Sequence, residues 1–328
     1  MLDRIRSVLR TVWRHSLSSV YALLPPTDAA EQTKASWARS IDSPAAVPAA
    51  YQEFFERLLA GGRAFPYTVL TPSYQGFLHR ATEKLVCDLE DEICILHRHA
   101  GAFEAHRYPL EGISYVEART FLLDSSIKIA GVTEQGVAAS TSFKFNAVTD
   151  YLFTPILRRI RLAPHGPGAA GLGPESEKFD DWAGRNYKFM NFAKRSLLAG
   201  ERVVHAILQP EIRTRALTLL GKTLSRVVSP THMCILTDRE LITVREEDRR
   251  GANDKYGGIW DYVPLGKIVD LSLSQKDGGL FELSIHLPEA APPQSPYGAS
   301  VERELNELLD RFGELASNAL LTPTPEIR

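Results

Sequence analysis

The chain has 328 residues, 44% of them hydrophobic and 24% charged, with a formal net charge of −2. This is enough for two ordinary domains with a core each. It excludes a largely disordered chain, and the near-zero charge gives no global pull toward nucleic acid. No run of about 18 apolar residues occurs, so no membrane-crossing helix is expected, and three cysteines without Cys-x-x-Cys spacing point to packed thiols in a reducing, cytoplasmic setting.

In residues 1–24, Leu2, Ile5, Leu9, Val12, Trp13, Leu17, Val20 and Leu24 recur mostly at steps of three and four, which predicts an amphipathic helix. Arg4, Arg6, Arg10 and Arg14 lie beside that stripe, and Pro25-Pro26 stops it. Arginines spread through the apolar residues do not make a secretory signal core. Such a helix either docks its stripe on the chain's own domains or lies on a membrane surface or in a partner's groove. In the second case Arg4, Arg6, Leu9, Arg10, Trp13 and Arg14 make the contact. Residues 25–50, rich in Ala, Ser, Pro and Thr, read as a tether, followed by a short helix over 51–60 that Gly61-Gly62 ends.

From Phe65 the period changes, and strands are expected at 66–71, 83–89, 92–99, 108–118, 122–132 and 140–145. A helix over 147–161 carries Pro155, which predicts a kink or a start delayed to Thr154. The Pro/Gly-rich stretch 163–175 reads as a linker, and the next helix, 177–198, carries Phe179, Trp182, Tyr187, Phe189, Met190 and Phe192. So many aromatics predict packing against the following sheet or the first domain. Strands recur at 203–208, 223–228, 233–236, 240–245, 258–263, 268–274 and 280–287. After a Pro-rich loop, a last helix over 301–319 opens at a Ser300 cap, with Val301, Leu305, Leu308, Phe312, Leu315 and Ala319 on one face.

The two halves share three blocks in the same order. Glu92-Ile93-Cys94-Ile95 matches Glu240-Leu241-Ile242-Thr243, Pro109-Leu110-Glu111-Gly112-Ile113 matches Pro264-Leu265-Gly266-Lys267-Ile268, and Ser126-Ile127-Lys128-Ile129 matches Ser284-Ile285-His286-Leu287. The offset grows across loops, where a repeat tolerates insertion. Thr237-Asp238-Arg239-Glu240 sits between two strand-forming runs and predicts a hairpin, with Thr237 and Asp238 fixing the turn and Leu236 and Leu241 in the core. Leu85 to Arg98 is a weaker copy, with Leu89-Glu90-Asp91 in place of Thr-Asp-Arg.

A Leu-Thr-Asp-Arg-x-Leu hairpin, a Pro-Leu-x-x-Ile strand start and a terminal helix, in that order, resemble the pleckstrin-homology-like superfold, in particular its bacterial PH-like and GRAM-type members. The resemblance implies a mainly β fold with some α: two PH-like split β-barrels, each with a C-terminal capping helix, in addition to the N-terminal amphipathic helix. The division it implies is 1–43 helix and tether, 44–162 first PH-like domain, 163–176 linker, 177–321 second domain and 322–328 tail. In that superfold, loops at the open end of the barrel often carry basic residues that grip lipid phosphates. By resemblance, Arg213, Arg215 and Lys222, and Arg249, Arg250 and Lys255, become phosphate- or anionic-lipid-binding candidates, although Glu211, Glu246, Glu247 and Asp248 offset their field.

Little else in the chain carries chemistry. Gly221-Lys222-Thr223 mimics the end of a phosphate-cradling loop, but Ala216 stands where its first glycine belongs. His97, His99 and His106 form a metal-like cluster that lacks a fourth ligand and reads as surface histidines. Cys87 and Cys94 should stand opposite each other across the first hairpin as packed thiols, and Asp88, Glu90, Asp91 and Glu92 read as a solvated hairpin tip. No catalytic group, metal or cofactor is assigned. The expectation is a non-enzymatic docking protein that binds a protein partner, by strand addition at a sheet edge among other ways, or an anionic membrane surface. An interfacial N-terminal helix would make the full chain co-sediment with phosphatidylglycerol vesicles and a chain beginning at Ser43 do so less. If neither sediments, the membrane role fails.

Overall fold

The computed structural model describes residues 34–60, 64–75, 80–99, 102–121, 124–165, 175–219, 222–246 and 257–321. Side chains at 74, 75, 80, 81, 99, 102, 215–219, 222–225 and 318–321 are not part of that description. The amphipathic stripe of residues 1–24 and the tail 322–328 lie outside it.

The first half runs β1 (Arg39–Ile41), α1 (Ala49–Leu59), β2 (Tyr67–Leu70), β3 (Tyr74–Gln75), β4 (Arg80–Ala81), β5 (Lys84–Asp88), β6 (Glu92–His99) and β7 (Ala102–Pro109). After the 3-10 turn Leu110–Gly112 come β8 (Ile113–Thr120), β9 (Ser125–Val132), β10 (Ala138–Phe145), a 3-10 segment Ala147–Leu152 and α2 (Thr154–Leu162). The second half enters through the 3-10 segment Ser176–Trp182 into α3 (Ala183–Ser196). It continues with β11 (Val203–Gln209), β12 (Ile212–Leu219), β13 (Lys222–Ser229), β14 (His232–Thr237), β15 (Glu240–Arg245) and β16 (Gly258–Pro264). The 3-10 turn Leu265–Lys267 then leads to β17 (Asp270–Lys276), β18 (Leu280–His286), β19 (Pro296–Gly298) and α4 (Glu302–Leu321).

The architecture is mainly antiparallel β with a few helices, and its described sheets close no barrel. Five strands pair in the order β1-β2-β5-β6-β7, and three in the order β17-β18-β19. The largest sheet joins the halves, in the order β10-β9-β8-β16-β15-β14-β11. Its seam is β8 against β16, antiparallel, with Val116 opposite Tyr262 and Thr120 opposite Gly258.

Each half repeats one plan. A helix (α1 or α3) covers the outer face of a four-strand meander whose first connection is a small hairpin (β3–β4 or β12–β13). A Pro-Leu 3-10 turn follows, then three strands and a closing helix. The inner face of the first half packs Val86, Ile93, Ile95 and Tyr108 against Ile127, Ile129, Phe143 and Phe145, with Phe153, Ile156 and Ile160 at α2. The inner face of the second packs Cys234, Leu236, Leu241 and Val263 against Leu283, Ile285 and Tyr297 under Val301 and, from α4, Leu305 and Leu308. Tyr115 and Ala130 of the first half belong to that second core.

The aromatics of the 177–198 stretch pack on the next sheet as expected: Phe179, Trp182, Phe189, Met190 and Phe192 lie on Met233, Ile235, Ile242, Trp260 and Tyr262. Tyr187 is the exception and faces out. That stretch is also two elements, because Asn186 leaves helical geometry (φ −160°, ψ 95°) inside α3. Helix α2 does start at Thr154, with Pro155 in its first turn, where a missing N–H breaks no helical bond.

Several boundaries differ from expectation. The run 108–118 is broken by the turn Leu110–Gly112, because Pro109 has no N–H to continue the ladder. β1 lies inside the expected tether and β19 inside the expected loop; both are only three residues long. Ser300 falls within a 3-10 turn that Gly298 caps, so it does not open the last helix.

The seam depends on a tight crossing. The β8–β9 ladder shifts register between Ile113 and Tyr115, bringing Gly131 against the chain. A Cβ at Gly131 would lie 2.2 Å from the carbonyl oxygen of Gly112 and 2.8 Å from Cα of Ile113, both backbone atoms that cannot turn aside. Gly131→Ala should therefore lower the urea midpoint by the equivalent of about 1–3 kcal/mol. Gly266→Ala, where nothing lies within 4 Å of the new carbon, should stay within about 0.5 kcal/mol of the parent. Equal midpoints for both variants would contradict this packing.

Candidate functional site between the repeats

The matched Pro-Leu turns fold alike. Pro109 (φ −51°, ψ 137°) and Pro264 (φ −59°, ψ 134°) each precede one 3-10 turn. The Leu110 N–H bonds the Asp91 carbonyl at 2.9 Å, and the Leu265 N–H bonds the Arg239 carbonyl at 2.8 Å. The seam brings the two turns together, and Lys267 donates to the Glu111 carbonyl across the gap. With α2 as a wall they bound a cleft of about 1430 Å³ lined from both halves, including Glu90, Asp91, Glu111, Arg158, Arg159, Leu162, Pro264 and Lys267. Glu90, Asp91, Glu111 and Arg158 are exposed, so the lining offers both charges beside apolar proline and leucine surface.

Hairpin turns hold the rim. Thr237 Oγ1 accepts from the N–H groups of Arg239 (3.1 Å) and Glu240 (2.8 Å), while Leu236 and Leu241 are fully buried, as expected. Asp238 does a different job from the one expected of it: its carboxylate accepts from the Arg202 N–H (2.9 Å) and ties the turn to the entry of β11. In the first half, Asp88 Oδ1 accepts from the Glu90 N–H at 3.1 Å, and Glu90 sits at φ +77°. The acidic run there is no solvated tip. Asp88 and Glu92 are buried, bound to Arg159 (2.7 Å) and Arg107, and only Glu90 and Asp91 face water.

Under the cleft lies a buried charge cluster. Arg161, in the last turn of α2, is 7% exposed; its Nε lies 2.9 Å and one terminal nitrogen 2.7 Å from the same Glu240 oxygen, across the junction of the halves. That nitrogen also donates to the Ser196 carbonyl (2.7 Å), and the guanidinium carbon stands 3.8 Å from the Tyr262 ring centre. Glu201, fully buried, lies 3.8 Å from Arg161 and accepts from Thr237 Oγ1 (2.7 Å) and the Leu198 N–H (2.7 Å). One cation thus serves two carboxylates. Burial, with Glu240 adding, pushes Glu201 up to about 7, against the pull of Arg161. The second charge network crosses the seam itself: Arg245 bonds Asp261 and, at 2.9 Å, Glu117 of β8, and burial pushes Asp261 up to about 6.

Of the residues singled out in the sequence, Arg213 is exposed and paired with Glu211. Arg213, Arg215 and Lys222 lie on the β12–β13 hairpin strands, where loops were expected, because both strands continue to Leu219 and from Lys222. Arg249, Arg250 and Lys255, and Arg4, Arg6, Leu9, Arg10, Trp13 and Arg14, lie outside the described residues. Cys87 and Cys94 are cross-strand partners, buried as free thiols. Sequence reasoning missed Arg161, Glu201 and Glu240. The only available signal was the charged residue at the end of the α2 apolar stripe.

No family model matches the chain, and no curated protein matches it in sequence. No described helix is long and apolar enough to cross a membrane.

A carboxyl raised from 4.5 to about 7 keeps in the fold a proton that the unfolded chain has released, so its contribution to stability falls as pH rises through that window. Asp261 acts in the same sense up to about 6. His232, lowered to about 4 by burial, acts oppositely, its contribution being lost as pH falls from 6.5. Glu201→Gln isolates one of these groups: its stability relative to the parent should rise between pH 5 and pH 7, read as urea midpoints. A difference independent of pH would show that Glu201 does not titrate there.

Proposed function

We propose that the chain is a non-enzymatic docking protein of two PH-like units, and that the cleft between the Pro-Leu turns takes an extended segment of a protein partner carrying charges of both signs. The observation that carries this reading is the cleft itself, walled mainly by the first repeat and closed by the Pro264–Lys267 turn of the second, and lined by acidic and basic side chains next to apolar ones. Extended segments bind such surfaces through side-chain pockets with charge fixing the register. Support for the PH-like units is the repeated order of meander, Pro-Leu turn, three strands and closing helix. Peripheral attachment to the cytoplasmic face of a membrane remains part of the proposal through the N-terminal stripe. An anionic-lipid site on the β12–β13 hairpin is the second reading, favoured only by exposed Arg213, which Glu211 already neutralises in part.

Selecting a random peptide library on the full chain tests the first reading. Enriched peptides should lose affinity about tenfold or more with Arg158→Glu or Glu111→Lys and keep it with Arg303→Glu on α4. Peptides indifferent to both cleft substitutions contradict it. Binding to phosphatidylglycerol vesicles that Arg213→Glu abolishes, without cleft-dependent peptides, transfers the function to the hairpin.

A further inference from the structure

The β6–β7 hairpin carries a side-chain cluster that neither the cleft nor the buried ion pairs use. The strands place His97 opposite Glu104 and Ile95 opposite His106, so the two histidines share one face a diagonal step apart. Nε2 of His97 lies 3.2 Å from one Glu104 oxygen, and Nε2 of His106 lies 3.0 Å from the other. The imidazoles are stacked, 5.6 Å between centres and 4° from parallel, and their two Nε2 atoms face the two oxygens of one carboxylate. One donor atom from each of the three residues lies within 4.8 Å of the others.

The cluster has a rigid backing. The His106 ring continues onto Tyr108, 6.4 Å away and 20° from parallel, and the fully buried Tyr108 shares a 2.8 Å hydroxyl bond with Thr141. The histidine side chains are 17% and 23% exposed and Glu104 is 54% exposed, so the nitrogens sit in the wall and the carboxylate closes over them from the solvent side.

We propose that His97, His106 and Glu104 bind a divalent transition-metal ion of the zinc class, leaving a further coordination position open to solvent. Two imidazole nitrogens and one carboxylate oxygen are the donor types such ions select, whereas calcium and magnesium prefer all-oxygen shells. Bonds of about 2.0–2.2 Å to a tetrahedral ion need donors roughly 3.4 Å apart, so the present donors, within 4.8 Å of one another, must close by up to about 1.4 Å. The exposed carboxylate supplies the movement. Glu104, which the spacing of histidines along the chain does not suggest, joins them through the pairing of β7 with β6. Lys84, opposite His97 on β5, opposes the ion. Its ammonium donates to the Ser142 carbonyl at 2.6 Å and is attracted by Glu104.

Calorimetric titration of untagged, metal-free full-length protein with Zn²⁺, with Co²⁺ as a visible-absorbing probe, tests the site. One ion should bind per chain. Affinity should drop about tenfold or more in His97→Gln, His106→Gln and Glu104→Gln, and rise in Lys84→Met. Glu104→Gln, at an exposed position, keeps the comparison valid where a histidine variant unfolds. Failure to bind Zn²⁺, or binding that survives both His106→Gln and Glu104→Gln, overturns the proposal.

Discussion

A guanidinium from the last turn of one repeat's closing helix, sealed against the first residue of a strand in the other repeat, sets the arrangement of this protein. Arg161 and Glu240 are both buried, and removing Arg161 leaves the Glu240 carboxylate without water or a counter-ion, an effect of about 3–5 kcal/mol. That is a large fraction of the net stability of an ordinary domain, about 5–15 kcal/mol. The pair therefore fixes α2 over β15, and with it the distance between the two Pro-Leu turns. Glu201 completes the cluster as a carboxyl that holds its proton near neutrality, which keeps one cation matched to one anion.

The repeats have diverged at this position in an informative way. Glu92 and Glu240 occupy matched places at the starts of β6 and β15. Glu92 is held by Arg107 of its own sheet, whereas Glu240 is held by the other half. The same division is seen in the sheets: β16 pairs with β8, so the first half's three-strand layer extends into the second half's meander. Arg245, bridging Asp261 and Glu117, repeats along this seam the device of one arginine between two carboxylates. A cleft bounded by two copies of one turn follows directly from this joint.

Much of the local structure was legible because its causes are local. Thr237 reads as a turn residue from its neighbours alone, Leu236 and Leu241 follow from alternation, and the Cys87–Cys94 pairing follows from counting outward from the turn. The delayed start of α2 follows from Pro155. What stayed hidden depends on long-range pairing. Nothing in the spacing of 113–120 and 258–264 says that those segments pair with each other. The run 108–118 hides its break because its apolar and aromatic residues continue through Pro109. Arg158, Arg159 and Arg161 look alike in sequence, yet one lines the cleft exposed, one binds Asp88 and one is buried on Glu240. Glu104 joins the two histidines only once β7 lies beside β6.

The seam and the Arg161–Glu240 pair make one cooperative unit of the two halves. Native-state hydrogen exchange resolved by segment measures this most directly. The slowest amides of β6, β8 and β15 should open with one shared free energy, and Arg161→Met should lower all three by the same amount. Separate free energies for the two halves, with Arg161→Met lowering only one of them, would contradict it.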